Sequence, residues 1–222
     1  MFESLWAVVD MHFFGFLRAT GVTLQLTAVS LLLAMVIGLV FAFLKLAKSP
    51  VANVIANAYI GIVRGTPLIV LLMFLYFGIS SIVVLTSFWA GAFALAIHAG
   101  AYVAEIFRGA IQSIDRGQHE AARSLGMSTR KTMRLIILPQ SFRRAIPPLG
   151  NQFIIGLKDS SLVAFLGVSE IYSTAMTAAA ANFRPFETYL IAGLYYLVLV
   201  LAFTALVNRL EARLTPDRRA TT

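Results

Sequence analysis

The chain has 222 residues, of which 59% are hydrophobic and only 13% charged, with a mean hydropathy of +0.83. An ordinary soluble domain is about 45–50% apolar and about 25% charged, so this composition excludes a typical soluble enzyme and excludes disorder. The formal net charge of +8 is read first as cytoplasmic loops of a membrane protein, not as a nucleic-acid surface, and the absence of cysteine excludes disulfides, thiolate metal sites and cysteine nucleophiles.

In chain order, residues 1–21 carry Glu3 and Asp10 with no basic start, unlike a cleaved signal peptide. Trp6, Phe13, Phe14 and Phe16 mix there with Asp10, His12 and Arg18. Two readings stand: an extracytoplasmic amphipathic segment lying at the interface, or a frayed lead-in to the first span. The first span is expected at 22–44, uncharged within, and Ser49-Pro50 marks a turn after Lys45 and Lys48. A moderately apolar stretch, 51–63, leads to Arg64-Gly65-Thr66-Pro67 and a second span over 66–85. The third span is expected at 88–107, the fourth at 148–168 and the fifth at 188–207. Pro147-Pro148 would open the fourth, a favourable place for proline, and 169–187 would be a loop. At about 20 residues per crossing, five helices use up the chain.

One long polar stretch, 108–146, carries Arg108, Arg116, Arg123, Arg130, Lys131, Arg134, Arg143 and Arg144 against Asp115 and Glu120 alone. Together with the 45–64 loop and a basic tail over 208–222 (Arg209, Arg213, Arg218, Arg219), it puts fifteen basic residues on one side; the other side has Arg18 and Arg184, and Lys158 falls within a span. Basic loops stay inside, so the N-terminus is expected outside and the C-terminus inside. No internal repeat is visible, which disfavours an inverted-repeat carrier. A stand-alone channel or ion-coupled carrier is the rival from a different class.

Within the polar stretch the residues spell a helix, a break, a second helix and a stop. Residues 117–125 are helix formers, Gly126 suits a left-handed C-cap, Ser128 suits an N-cap, and Pro139 would end or kink the second helix. Ala121 and Ala122 are small enough for another protein to approach the helix backbone. Glu120-Ala121-Ala122, three residues, Gly126, nine residues, Ile136, one residue and Leu138-Pro139 resemble, without a gap, the EAA loop of ABC importer permeases. Arg64-Gly-Thr-Pro-Leu68, the run Ala101 to Gly109, Pro147-Pro-Leu-Gly-Asn151 and Lys158-Asp-Ser-Ser-Leu162 further resemble the polar amino acid (histidine/glutamine/arginine) group of that family. His98 departs from it, where many relatives have Asn.

The resemblance implies an all-α integral membrane protein with five transmembrane helices and the type I ABC importer permease fold, in the bacterial plasma (inner) membrane. It implies a pairing with a second permease copy or paralogue, two ABC ATPase subunits docked on the EAA loop through Glu120, Ala121, Ala122 and Gly126, and an extracytoplasmic binding protein that delivers the amino acid. Methionine or another small solute is the alternative cargo. The chain has no Gly-x4-Gly-Lys-Ser/Thr loop, so ATP and Mg are expected on the partner ATPase; no cofactor, metal or catalytic residue is expected in this chain.

Ionisable groups at membrane depth are costly and mark function by default. His98 and Asp159 are each expected about 15 Å from a surface, at about 1.5 Å per residue. His98, Tyr102 and Glu105 recur along one face of the third span, and Arg108 falls three residues beyond Glu105, within pairing reach. Asp159, His98, Tyr102 and Arg64 are the candidate substrate path. Glu105, Arg108 and Lys158 are candidates for structural polar pairing. For Tyr102 and Glu105, interhelical hydrogen bonding competes with substrate contact. Arg64 serves either a gate or the headgroups, and Asp159 either meets the substrate's ammonium group or pairs with a cation on a neighbouring span.

Overall fold

A computed structural model describes the backbone of residues 2–214 and the side chains of 5–213. Arg218, Arg219 and most of the expected basic tail lie outside the described residues, as does the side chain of Glu3. Among the described residues every regular element is helical: α1 (Phe2–Leu46), α2 (Pro50–Gly65), α3 (Leu68–Met73), α4 (Ser87–Gln112), α5 (Arg116–Ser124), α6 (Thr129–Thr132), α7 (Leu138–Asp159), α8 (Ile171–Asn182) and α9 (Pro185–Leu214). Three helices are long and apolar enough to cross a membrane, Leu5–Leu46, Ser87–Gln112 and Pro185–Arg213. Two bent pairs raise the number to five if each makes one crossing.

No boundary falls at residue 21. One helix runs from Phe2 to Leu46, because the buried stripe Val8, Phe16, Ala19, Thr23 and Leu26 continues across that point at helical spacing and no proline interrupts it. At about 1.5 Å per residue α1 is near 68 Å long, more than twice a hydrocarbon core of about 30 Å.

The second span differs most from expectation. Residues 68–78 form only a short helix, α3, closed by a π-helical turn at Phe74–Gly78, and 79–86 is not helical. The expected lead-in is itself a helix, α2, N-capped by Ser49 with Pro50 at its start. The break between them has a local cause. Pro67 disfavours helical geometry in the residue before it, and Thr66 is extended (φ −107°, ψ 132°). The two helices are bent by 107°.

The fourth span also begins earlier than expected. Pro139 does not stop the helix; a π-helical turn at Met133–Ile137 precedes it, and Pro139 takes the second position of α7, where its missing N–H is least costly. Pro147 and Pro148 lie inside α7 rather than at its start. Tertiary contact holds the helix through them: Ala145 is fully buried in a cluster with Ala104 and Phe107 of α4. A 3-10 turn, Ser160–Leu166, follows Asp159 and ends at Gly167 (φ +82°). The expected loop 169–187 is mostly α8, bent by 50° from the preceding helices. Glu170 explains why a helix starts there. Its carboxylate accepts from the backbone N–H groups of Tyr172 and Ser173, at 2.9 and 2.6 Å, and from the Tyr196 hydroxyl of α9.

Side-chain contacts fix the helix directions. Leu26 packs with Ala90 to Leu95, Ala34 with Ala99 and Val103, and Lys45 meets Glu105, so α1 and α4 run parallel. Phe107 meets Phe142, and Phe153 meets Phe203, so α7 runs against α4 and α9. Two glycines let α1 and α4 approach closely. A Cβ on Gly38 would fall 2.6 Å from the Val103 Cβ, and one on Gly100 would fall 2.8 Å from the Ile37 Cγ2.

Candidate functional site

Three helices converge on a narrow hollow of about 20 Å³, room for about one water, near the middle of the bundle, lined by Thr27, Ser30, His98, Gln152, Gly156 and Asp159 among others. The sequence places polar groups here by spacing. Thr20, Thr23, Thr27 and Ser30 recur every three or four residues on one face of α1. Their hydroxyls donate back to carbonyls one turn earlier: Thr23 to Ala19 at 3.0 Å, Thr27 to Thr23 at 2.7 Å and Ser30 to Leu26 at 2.6 Å. Each donor is therefore used within the helix, and the oxygens keep lone pairs for a guest. Gln152, buried on α7, supplies an amide.

The two charged candidates face the same hollow. His98 sits midway along α4 and its Nδ1 is buried without a hydrogen-bond partner among the described residues. Asp159, the last residue of α7, lines the same space. No lysine or arginine of a neighbouring helix is recorded within 4 Å of Asp159 among the described residues. Lys158, next in sequence to Asp159, is exposed, and adjacent helical residues diverge by about 100°.

Tyr102 lies one turn below His98, their ring centroids 5.2 Å apart. The Arg64 guanidinium stands 5.1 Å from the Tyr102 centroid, a cation–π distance. His98, Tyr102 and Arg64 thus form a file from the hollow to the end of α2, although Tyr102 and Arg64 do not line the hollow itself. Glu105 belongs to a different set. It holds Arg108 through Nε and Nη2 at 3.0 and 2.7 Å and the Lys45 Nζ at 2.6 Å. Arg108 also reaches Gln112. The Arg108 contact was legible from its spacing, whereas Lys45 is sixty residues away and was not.

Up to Ser128 the polar stretch folds as its residues suggest. Asp115 caps α5 by accepting from the Gly117 N–H at 2.6 Å. Gly126 takes φ +78°. Its N–H donates to the Arg123 carbonyl at 3.0 Å, and the Met127 N–H donates to the Ala122 carbonyl at 3.1 Å; together these bonds are the Schellman pattern, which needs a left-handed residue. Ser128 caps α6 by accepting from Lys131. Glu120 and Ala121 face solvent, as does Leu125 at 83% exposed, whereas Ala122 is turned into its own chain at 4%. Ala122 therefore seats the helix instead of offering a surface. The loop is fastened at its far side by Arg144 of α7, whose guanidinium donates to the carbonyl and hydroxyl of Ser113.

Comparison with known proteins fits this arrangement. Residues 22–216 match the family model of the binding-protein-dependent transport system inner membrane component. The chain is 35% identical over 215 residues to the glutamine transport system permease protein GlnP of Escherichia coli (strain K12), covering 96% of each. It is 36% identical over 200 residues to the arginine transport system permease protein ArtQ of Bacillus subtilis (strain 168), covering 89% of this chain and 91% of that one. Among solved structures, an amino acid ABC transporter crystallised with histidines superposes with a TM-score of 0.86 at 37% identity, over 96% of this chain and 98% of that one. A methionine ABC transporter in an inward-facing conformation gives a TM-score of 0.80 at 20% identity, over 93% and 99%, a likeness of fold alone.

Proposed function

Because this chain belongs to the family of binding-protein-dependent transport system inner membrane components, the permeases of ABC importers, we propose that polar amino acids cross the membrane through the hollow between α1, α4 and α7. The protein is a multi-pass inner-membrane transport subunit, and its family works with a separate ATPase and a binding protein. Relatives named for glutamine and arginine support the substrate class.

The observation that carries the reading is that the Asp159 carboxylate and the His98 ring, whose Nδ1 has no hydrogen-bond partner among the described residues, face one hollow. A zwitterion needs a carboxylate for its ammonium group when it leaves water, because an unpaired charge in a low-dielectric path is costly. Asp159 supplies that partner and His98 flanks it. The hydroxyl oxygens of Thr27 and Ser30 and the Gln152 amide complete a small polar lining. Tyr102 and Arg64 form the inner continuation of the path.

The orientation supported by the basic residues is N-terminus outside and C-terminus inside, with five crossings if each bent pair makes one. The permease body is then 22–207, preceded by an outer segment at 1–21, with the 108–146 loop and the basic tail from 208 on the inner side. Two ATPase subunits would serve a pair of permeases, each docking on the exposed Glu120, Ala121 and Gly126 of one α5. A second copy of this chain, or a paralogue, completes the pair.

Asp159→Asn tests the substrate contact in the reconstituted complex with its ATPase and binding protein. The complex should assemble and its ATPase should respond to loaded binding protein. Uptake should fall by about ten- to a hundred-fold, the equivalent of a lost charge-assisted contact of about 1.5–3 kcal/mol. His98→Asn should be mild. An assembled Asp159→Asn permease with unchanged uptake and selectivity would sink the proposal.

A further inference from the structure

A second polar hollow lies at the end of the bundle opposite the Arg-rich loop, where the first half of α1 packs along α8. The Ile171 N–H donates to the Thr23 hydroxyl, and Gly15 brings α1 close to Thr174, so α8 runs back along α1 toward its N-terminus. On α1 the seam against α8 and α9 is Val8, His12, Phe16 and Ala19. The three apolar members are at most 2% exposed, which makes His12 the polar interruption of an otherwise apolar stripe. Its Nε2 is buried without a hydrogen-bond partner among the described residues. That is an expensive arrangement for a ring that rotation toward solvent would satisfy.

His12 borders two adjoining spaces. One, of about 270 Å³, is walled by Ser169, Ser173 and Thr177, one hydroxyl every four residues. The other, of about 350 Å³, is walled by Asn182 and Arg184 and, on the α1 side, by the apolar Ala7, Val8 and Met11. Arg184 makes no ion pair among the described residues. Asn182 is held in place, donating to Thr188 at 3.1 Å and accepting from the Arg184 N–H at 2.8 Å. Neither space is lined by a carboxylate. A wall of guanidinium, imidazole and hydroxyls offers hydrogen-bond donors and positive charge, the complement of a carboxylate. The inner hollow is the opposite case, with Asp159 and no lysine or arginine in its lining.

We propose that this outer hollow is a second substrate site, which takes the carboxylate end of the amino acid before it reaches Asp159. The proposal rests on the amino acid reading above. It divides the zwitterion between two places: Arg184 and His12 hold the carboxylate at the outer end, and Asp159 receives the ammonium group further in.

The chain has no cysteine of its own, so single reporters are clean. Ala181→Cys reports on the outer hollow, because Ala181 borders both spaces, and Ser30→Cys reports on the inner one. Each is labelled with a small thiol reagent in the full detergent-purified complex, without binding protein. Glutamine, arginine, histidine, acetate or methylammonium is added in separate runs. The amino acids and acetate should slow labelling of Ala181→Cys about three-fold at about 10 mM, as a Kd of about 5 mM gives, and methylammonium should not. Arg184→Gln, at an exposed position, and His12→Phe, which keeps the seam filled, should each abolish that protection. Protection of Ser30→Cys without protection of Ala181→Cys overturns the outer site and leaves the inner reading standing. Failure of both overturns the amino acid reading as well. Labelling of Ala181→Cys that is slow in the complex whatever is added means a partner chain covers the hollow, and that also overturns the site. Protection that survives both Arg184→Gln and His12→Phe does the same.

Discussion

Glu105 joins two cations, and removing its charge is the sharpest test of how α1 and α4 are held together at the root of the coupling loop. Glu105→Gln preserves shape and leaves Lys45 and Arg108 facing a neutral amide. At 2.6–2.7 Å and an effective dielectric of about 20, each contact has a gross Coulomb energy of about 6 kcal/mol. Most of that is offset by desolvation and side-chain ordering. Exposed pairs net about 0–1 kcal/mol, and breaking a buried pair costs about 3–5 kcal/mol. With Glu105 19% exposed and its partners 23% and 29%, the triad falls between these limits. We expect Glu105→Gln to cost about 2 kcal/mol, read as a lower midpoint in thermal unfolding of the detergent-purified complex. Lys45→Met should cost less, since Arg108 remains. The double variant should cost less than the sum, because the second substitution removes a contact already lost. A loss below about 0.5 kcal/mol, or strict additivity, would show that the triad is an exposed pair without structural consequence.

Three further outcomes follow from the same geometry. Single cysteines at Ser81, Thr174 and Ser128, probed in whole cells with an impermeant maleimide, should label at the first two positions and not at Ser128; the reverse pattern overturns the orientation. Gly126→Val should uncouple ATP hydrolysis from loaded binding protein, because a β-branched residue is strongly disfavoured at φ +78°, and Glu120→Lys should do so by reversing an exposed charge on α5; normal ATPase stimulation in both would remove the coupling role. Gly38→Ala should cost about 1–3 kcal/mol by overpacking, since its Cβ would lie 2.6 Å from a Val103 Cβ that no rotamer change can move. Val103→Ala, which keeps the Cβ, should restore only part of that loss in thermal unfolding, and full rescue would contradict the Cβ clash.

What could be read in the residues divides by the range of the interaction. Signals within one or two turns were legible: the cap at Ser128, the left-handed Gly126, the Glu105–Arg108 pairing and the apolar runs of α4 and α9. His98 and Asp159 line one hollow, although the count that put them at one level started the fourth span at 148, whereas α7 starts at Leu138 and ends at Asp159. Misreadings came where packing overrides a local preference. Pro147 and Pro148 read as a helix start, yet Ala145 and its cluster carry α7 through them. The 169–187 segment read as a loop because its polar residues are conspicuous, whereas Glu170 uses its charge to begin a helix. Lys45, Tyr196 and His12 gained meaning only once distant segments were brought together, and nothing within a few residues of them announces the partner.

The placement of the hollow and the coupling loop on the same two helices gives a physical route from ATP to substrate. α4 carries His98 at the hollow and, about 22 Å further on at about 1.5 Å per residue, ends at Ser113. α7 begins at Leu138, carries Arg144, which grips Ser113, and ends at Asp159. The loop from 114 to 137 therefore joins the two helices that bear the hollow's ionisable groups, and Arg144 closes the join from the other side. A force on α5 has few soft places to dissipate. Asp115 and the Schellman turn fix its two ends, and Ala122 seats it against its own chain. Displacement of α5 must then move the inner ends of α4 and α7 together or break the Arg144–Ser113 contact. The bends lie elsewhere, at the Thr66-Pro67 break of 107° and at the 3-10 turn and Gly167 beyond Asp159. Both are outside the α4–loop–α7 unit. The chain thus joins the docking helix to the inner hollow through one continuous unit, and its sharpest bend, at Thr66-Pro67, lies beside Arg64 on the inner continuation of the path.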